Sequence, residues 1–264
     1  MKKTWNKIFG GSYLGLILLF FYLPIIIMMV FSFNSTRSLT IWDGFSLQWY
    51  ERLFSDEKMM QAVINTFLIA TIATVISTIV GTLTAIGLSK SKKLLREVVL
   101  SINDLPMLNP DIVTAIGMML FFTSLGVTKG YTTMLLAHIA FCIPYVVLSV
   151  LPKLRTLDPN VAEAAMDLGA TPWQALTKVI VPQIIPAIVS GALISFTMSL
   201  DDFVISYFVT GNGVSNISIL VYTMSKRINP TINALSTILV VMITLVLIAI
   251  NVVPMFKKKE GQIK

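Results

Sequence analysis

The sequence predicts an all-α, polytopic membrane protein with six transmembrane helices. Three observations carry that prediction. Of 264 residues, 55% are hydrophobic and 12% charged, with a mean hydropathy of +0.82; the charged fraction is about half that of a water-soluble domain. The apolar residues fall into six runs, each long enough to cross a bilayer as a helix of about 20 residues. The basic residues sit unevenly on the segments between the runs. Helices are the only expected spanning element, because an open sheet leaves backbone groups unsatisfied in lipid.

The first run, from Ser12 to Phe33, follows Lys2, Lys3 and Lys7. It exceeds the roughly 7–15 apolar residues of a signal-peptide core, and no small-residue cleavage site precedes Asn34, so a retained helix is expected. The others run from Ala62 to Leu88, Val98 to Leu125, Tyr131 to Leu151, Ile184 to Val209 and Ala234 to Phe256. Alternating sides from an inner N-terminus puts 14 of the 20 Lys and Arg inside and 6 outside, which is the asymmetry of cytoplasmic flanks. Both termini are then cytoplasmic. The organisation expected is a first helix and outer loop over 1–61, a core over 62–256 carrying an inner loop at 152–182, and a basic tail at 257–264, where Lys257, Lys258 and Lys259 suit anionic lipid.

One cysteine, Cys142, and one histidine, His138, exclude an internal disulfide and a Cys/His metal cluster. No phosphate-binding G-x-x-x-x-G-K-[ST] run occurs, and Gly211-Asn212-Gly213 lacks the third glycine of a dinucleotide site. No catalytic residue, metal or cofactor is expected, and any use of ATP falls to another chain.

The inner loop is the most specific signal. Asp158 is a good helix cap, Pro159 suits a first helical position and Gly169 a helix stop; Thr171 and Pro172 open a second short helix expected to end at Val181, before Pro182. The loop reads Glu163-Ala164-Ala165, three residues, Gly169, nine residues, then Val179-Ile180-Val181-Pro182. It resembles the E-A-A-x-x-x-G-x9-I-x-L-P signature of the membrane subunits of bacterial ABC importers, with Val179 and Val181 as conservative departures. The small Ala164 and Ala165 permit close packing, and Glu163 offers a charge at the rim of the turn. The competing reading is an ordinary interfacial helix.

The resemblance covers nearly the whole chain and is nearest to permeases of spermidine/putrescine importers. Gly44-Phe45-Ser46 with Trp49-Tyr50, Asn109 to Val113, His138 to Pro144, and Ser195 to Ser206 narrow it. It implies a type I ABC importer permease fold in a bacterial cytoplasmic membrane. It also implies that Glu163, Ala164, Ala165, Gly169 and Pro182 belong to a coupling element seated on an ATPase. The partners it implies are two ATPase copies, a sister permease and an extracytoplasmic polyamine-binding protein; nothing points to nucleic acid.

Acidic residues within the spans argue independently for a cationic passenger. Carboxylates within a bilayer cost about 2.5–3.5 kcal/mol each, so Asp201 and Asp202 in an otherwise apolar run mark a watery pathway or a pairing between helices. Asp201 is read as facing the pore and Asp202 as pairing with a neighbouring helix or subunit. Asp111, after Pro106 and Pro110, joins them. Trp49 is a candidate cation–π surface at the entrance, or a residue of the interfacial belt. Ser199 is a candidate hydrogen-bonding group, or a packing residue. His138 reads better as a buried histidine bonded to another helix than as a proton relay. A permease for another solute, an ion-coupled secondary transporter or channel, and an intramembrane enzyme are the alternative functions; neither of the last two accounts for the Glu163 to Pro182 pattern.

Overall fold

The computed structural model describes residues 2–38, 40–158, 160–211, 213–224 and 229–260. Pro159 and the basic residues Lys226, Arg227 and Lys264 lie outside them. Twelve α-helices and a π-helical turn, Ala175–Ile180, make up the described chain, and an isolated bridge pairs Asn34 with Phe45. The chain divides into two compact units, Met1–Met60 with Val221–Lys264, and Gln61–Leu220. The final helix falls in the same unit as the first.

In the first unit α1 (Lys2–Phe31) leads through a turn-rich loop to α2 (Gln48–Ser55), and α12 (Pro230–Glu260) packs on both. The apolar segment Tyr13–Phe31 is not buried against the rest of the chain, so lipid or another subunit must cover it. The loop is held by Asn34: its Nδ2 donates to Thr36 Oγ1 and to the carbonyls of Ser38 and Ile41, and its Oδ1 accepts from Asp43 N.

The second unit holds α3 (Glu57–Lys90, from Gln61 onward), α4 (Lys93–Leu108), α5 (Asp111–Ser124), α6 (Tyr131–Arg155), α7 (Val161–Asp167), α8 (Pro172–Gln174), α9 (Val181–Asp201), α10 (Val204–Val209) and the first half of α11 (Ile217–Met224). Its centre is the α6–α9 pair. Ser195 Oγ donates to the Cys142 carbonyl at 3.3 Å and Cys142 Sγ to the Ser195 carbonyl at 3.4 Å, a reciprocal tie between the two helices. Val146 of α6 sits between two glycines. A Cβ on Gly191 would stand 3.1 Å from the Val146 Cα, and one on Gly81 would stand 2.7 Å from its Cβ. Small residues at these points let three helices approach as closely as membrane helices require, since packing rather than hydrophobic exclusion joins them in lipid. Ala85, Val146, Val147, Val150 and Ile184 form one buried cluster, and Ile69, Ala115, Met134, Phe141, Ile205 and Val209 belong to a second.

The six-span expectation is met only in part. Among the described residues four helices are long and apolar enough to cross, five if the bent pair α4–α5 counts as one; α12 adds the apolar stretch Pro230–Leu245. The third span is no single rod: α4 and α5 meet at 109°. Asn109, which precedes Pro110, is extended at φ −84° and ψ 147°, because proline disfavours the helical region for its predecessor. The fifth span, expected over Ile184 to Val209, breaks at Asp202–Phe203 and so ends its first helix at Asp201. The second short helix does not stop at Pro182. It passes through the π turn into α9, with Val181 N donating to Leu176 O; the wider turn accommodates a proline that has no N–H and a ring that crowds the preceding turn.

Gly191→Val is expected to lower the thermal midpoint of the purified complex, at a cost of about 1–3 kcal/mol for overpacking against backbone. Gly87→Ala, where a Cβ meets nothing within 4 Å, is the control and leaves the midpoint unchanged.

Candidate functional site

The break after α9 is built from side chains. Asp202 is extended at φ −64° and ψ 124°, and its carboxylate turns onto the start of α10. Oδ1 accepts from Ile205 N at 3.2 Å, and Oδ2 accepts from Ser206 N and from Ser206 Oγ, both at 2.8 Å. Asp202 stands one residue before Phe203, the cap position of α10, and its oxygens satisfy N–H groups that have no partner within that helix. His138 of α6 closes over the same oxygen, with Nε2 at 3.4 Å from Asp202 Oδ2 and 2.9 Å from Ser206 Oγ. Its Nδ1 lies 2.6 Å from Ser199 Oγ. Asn216 completes the cluster: Nδ2 donates to the Asp202 carbonyl at 3.3 Å and to Ser206 Oγ at 2.9 Å, while Oδ1 accepts from Ile219 N at 2.9 Å.

Ser206 gives its hydroxyl proton to Asp202, so a proton on His138 Nε2 serves Ser206 and Asp202, and Nδ1 pairs with Ser199 Oγ in the sense that the tautomer sets. Every member is satisfied, which a buried polar network requires, as an unpaired group in such surroundings costs about 1–3 kcal/mol.

The two adjacent aspartates are therefore not equivalent. Asp202 exposes 8% of its side chain and is fully engaged, whereas Asp201 is exposed at the last turn of α9 and makes no side-chain hydrogen bond or ion pair among the described residues. Asp111 is exposed at the first residue of α5, beside the α4–α5 bend. Two other candidate contacts are already occupied. Ser199 is buried beneath His138. Trp49 is 3% exposed, donates Nε1–H to the Asn34 carbonyl at 2.6 Å, and lies with its ring 4.9 Å from the Arg52 guanidinium carbon. Both are engaged within the chain. Ser206 and Asn216 carry no mark in the sequence as partners of Asp202, because their contacts with it are made only in the fold.

The loop between α6 and α9 forms a small knob. The α7 helix begins at Asn160, whose N–H bonds to Asp158 Oδ1 at 2.9 Å, so Asp158 supports the cap without being it. At its end Gly169 takes φ +90°. Gly169 N bonds to Met166 O at 2.9 Å and Ala170 N to Ala165 O at 3.1 Å, the paired bonds of a left-handed helix stop. Thr171 and Gln174 then exchange side-chain bonds at the start of α8, as a reciprocal cap. Ala162 and Ala175 face inward where α7 packs on the π turn; Glu163 and Ala164 face out, and Ala165 is half-buried. Two large apolar side chains cap the exposed side, Leu168 at 91% and Trp173 at 70% exposure. Pro182 sits one residue into α9, beyond the knob.

Bundled apolar helices, a broken span with buried charge, and a rigid surface knob define a multi-pass membrane transport subunit. The chain belongs to the family of binding-protein-dependent transport system inner membrane components, whose model matches residues 77–257. It is 40% identical over 233 residues, 88% of this chain and 91% of the relative, to the spermidine/putrescine transport system permease protein PotC of Haemophilus influenzae. It is 36% identical to PotC of Escherichia coli K12, covering 98% of this chain and 99% of that one. The putrescine transport system permease protein PotI of the same strain is 38% identical, over 83% of this chain and 81% of the relative. Among solved structures, a bacterial ABC transporter involved in alginate import shares the fold with a TM-score of 0.74 at 19% identity, covering 97% of this chain and 98% of that one.

Gly169→Val is expected to strain the α7 stop by about 1–2 kcal/mol, the cost of a left-handed conformation for a residue with a Cβ. Limited proteolysis of the purified protein should then cut the α6–α9 loop faster than in the parent, with the helical content unchanged.

Proposed function

We propose that the chain is the permease subunit of an ATP-driven importer and that its passenger is a polyamine. The knob carries the first half of this reading. A short helix locked between a glycine stop and a reciprocal cap is stiff enough to transmit force, and its exposed Leu168, Trp173 and Glu163 offer apolar anchors beside a charge. The partner implied is an ATPase, two copies expected, because the chain has no nucleotide-binding run of its own and its importer family works on energy from elsewhere. Glu163, Ala164, Ala165 and Gly169 form the seat, and Pro182 lies at the root of the helix it moves. A sister permease completes the pathway and covers the apolar side of α1. An extracytoplasmic binding protein delivers the passenger; a bacterial alginate ABC transporter of the same fold has been solved in complex with its periplasmic protein.

The relatives' names and the acidic residues support the passenger. Relatives at 36–40% identity are named for spermidine and putrescine, cations with amines at both ends and methylenes between. Asp201 and Asp111 are the exposed carboxylates suited to meet the amines. The 14 to 6 division of basic residues supports a cytoplasmic position for both termini and the knob.

The deciding experiment reconstitutes the chain with ATPase, sister permease and binding protein in proteoliposomes. Uptake of labelled spermidine or putrescine that needs ATP hydrolysis is the expected result; uptake driven by an ion gradient without ATP overturns the reading. In the same system Leu168→Ser with Trp173→Ser, or Glu163→Arg alone, leaves insertion intact and weakens ATPase copurification, by roughly tenfold or more for loss of the two exposed apolar anchors that the ATPase would cover. Copurification and uptake at the parental level would remove the knob from its coupling role.

Orientation has its own test. With Cys142 replaced, a cysteine at Ser46 is expected to react with an impermeant thiol reagent in intact cells, and one at Asn160 only after the membrane is opened. Labelling of position 160 in intact cells would reverse the orientation.

A further inference from the structure

We propose that His138, Ser206 and Asn216 act through Asp202 as a positioning clamp: they hold the break between α9 and α10 open and so leave Asp201 as the one carboxylate of the adjacent pair that a cationic passenger meets. This rests on the reading of Asp201 as a pathway residue.

The energetics of the break favour such a role. Stopping a helix frees carbonyls on one side and N–H groups on the other, and in a membrane each must find a partner within the protein. Here the Asp202 carboxylate takes the N–H groups of Ile205 and Ser206, and Asn216 takes the Asp202 carbonyl. The apolar residues around Asp202 would otherwise favour an unbroken helix through this point, with one more backbone bond per residue. Side chains from α6, α10 and the loop before α11 oppose it, and His138 ties the carboxylate to a helix 64 residues away in sequence. The break fixes where α9 ends, hence where Asp201 projects.

The same bonds remove Asp202 from substrate binding. Oδ2 already receives two Ser206 donors and faces His138 Nε2, Oδ1 receives Ile205 N, and little of the side chain is open. An ammonium group would have to displace His138 to reach it. Asp201, one residue earlier, has none of these partners. Recognition by this chain at this level is thus of one amine, and the second amine of the passenger must be met elsewhere along the pathway.

The test separates charge from position. In a Cys142→Ser background of the assembled transporter, Asp201→Cys is labelled with a cationic and a neutral methanethiosulfonate reagent of similar size. Asp202→Asn, His138→Gln and Asn216→Ser are then added singly, and His138→Gln with Asp202→Asn together. A clamp predicts that each single change alters the labelling rates of both reagents several-fold by the same factor, leaving their ratio unchanged. It predicts that the double change is no worse than the worse single one, and that Asp202→Glu, with charge but a longer reach, does not restore the parental rates. If Asp202→Asn lowers the cationic rate alone, or Asp202→Glu restores the parent, Asp202 is itself a charge contact and the proposal fails. If Asp202→Asn does not assemble, parental rates in both His138→Gln and Asn216→Ser overturn it equally. The pathway reading is checked apart from this by Asp201→Asn with Cys142 intact: a loss of uptake of tenfold or more is expected, and parental uptake would refute that reading while the labelling pattern still stands or falls alone.

Discussion

In a bilayer no water is available to a peptide group, and the core of this protein is arranged around that constraint. An uninterrupted α-helix meets it at no further cost. Each place where the second unit departs from one shows how the freed groups are served. At Pro182 the backbone widens into a π turn. At Asn109–Pro110 the chain turns through 109° and restarts with Val113 N bonded to the Pro110 carbonyl. At Asp202 a carboxylate, an imidazole, a hydroxyl and an amide assemble around the gap. The first two departures need only proline's geometry and local bonds. The third needs residues from three elements, and is correspondingly rich in titratable and hydrogen-bonding groups.

Packing supplies the rest of the order. Lipid tails are as apolar as the side chains facing them, so the helices gain by touching closely rather than by leaving water. The Val146 contact between Gly81 and Gly191, and the Cys142–Ser195 exchange one turn away, show α6 as the element against which the others are set. His138 projects from that same helix. Helix proximity at the glycines and polar closure at the aspartate therefore depend on one another: an α6 pushed away from α9 would carry its imidazole off the break.

The knob between α6 and α9 and the exposed carboxylate of Asp201 stand at the two ends of one helical path, Pro172 to Asp201, which runs through the π turn before Pro182. The proposed coupling would act along that path.

Much of this was legible in the sequence. Apolar length gave the spans, and the Glu163 to Pro182 spacing marked the loop, because both rest on local rules: the length of chain needed to cross lipid, and the residues that start and stop helices. Gly169 took its left-handed conformation and Thr171 its cap for the same reason. Local rules failed where two answers were locally acceptable. Pro182 reads as a helix stop until the π turn is seen, and Asp202, set apart from Asp201 by the 100° between neighbours on a helix, has no named partners until His138, Ser206 and Asn216 arrive from elsewhere in the chain. The aromatic ring of Trp49 looks available until Arg52 and the Asn34 carbonyl close on it. By itself the sequence determined that helices would cross a membrane, and where the knob would lie. Tertiary structure alone decided which groups hold Asp202, because a charge in a low-dielectric setting is governed by the partners within a few ångströms, and those partners come from residues that only folding brings together.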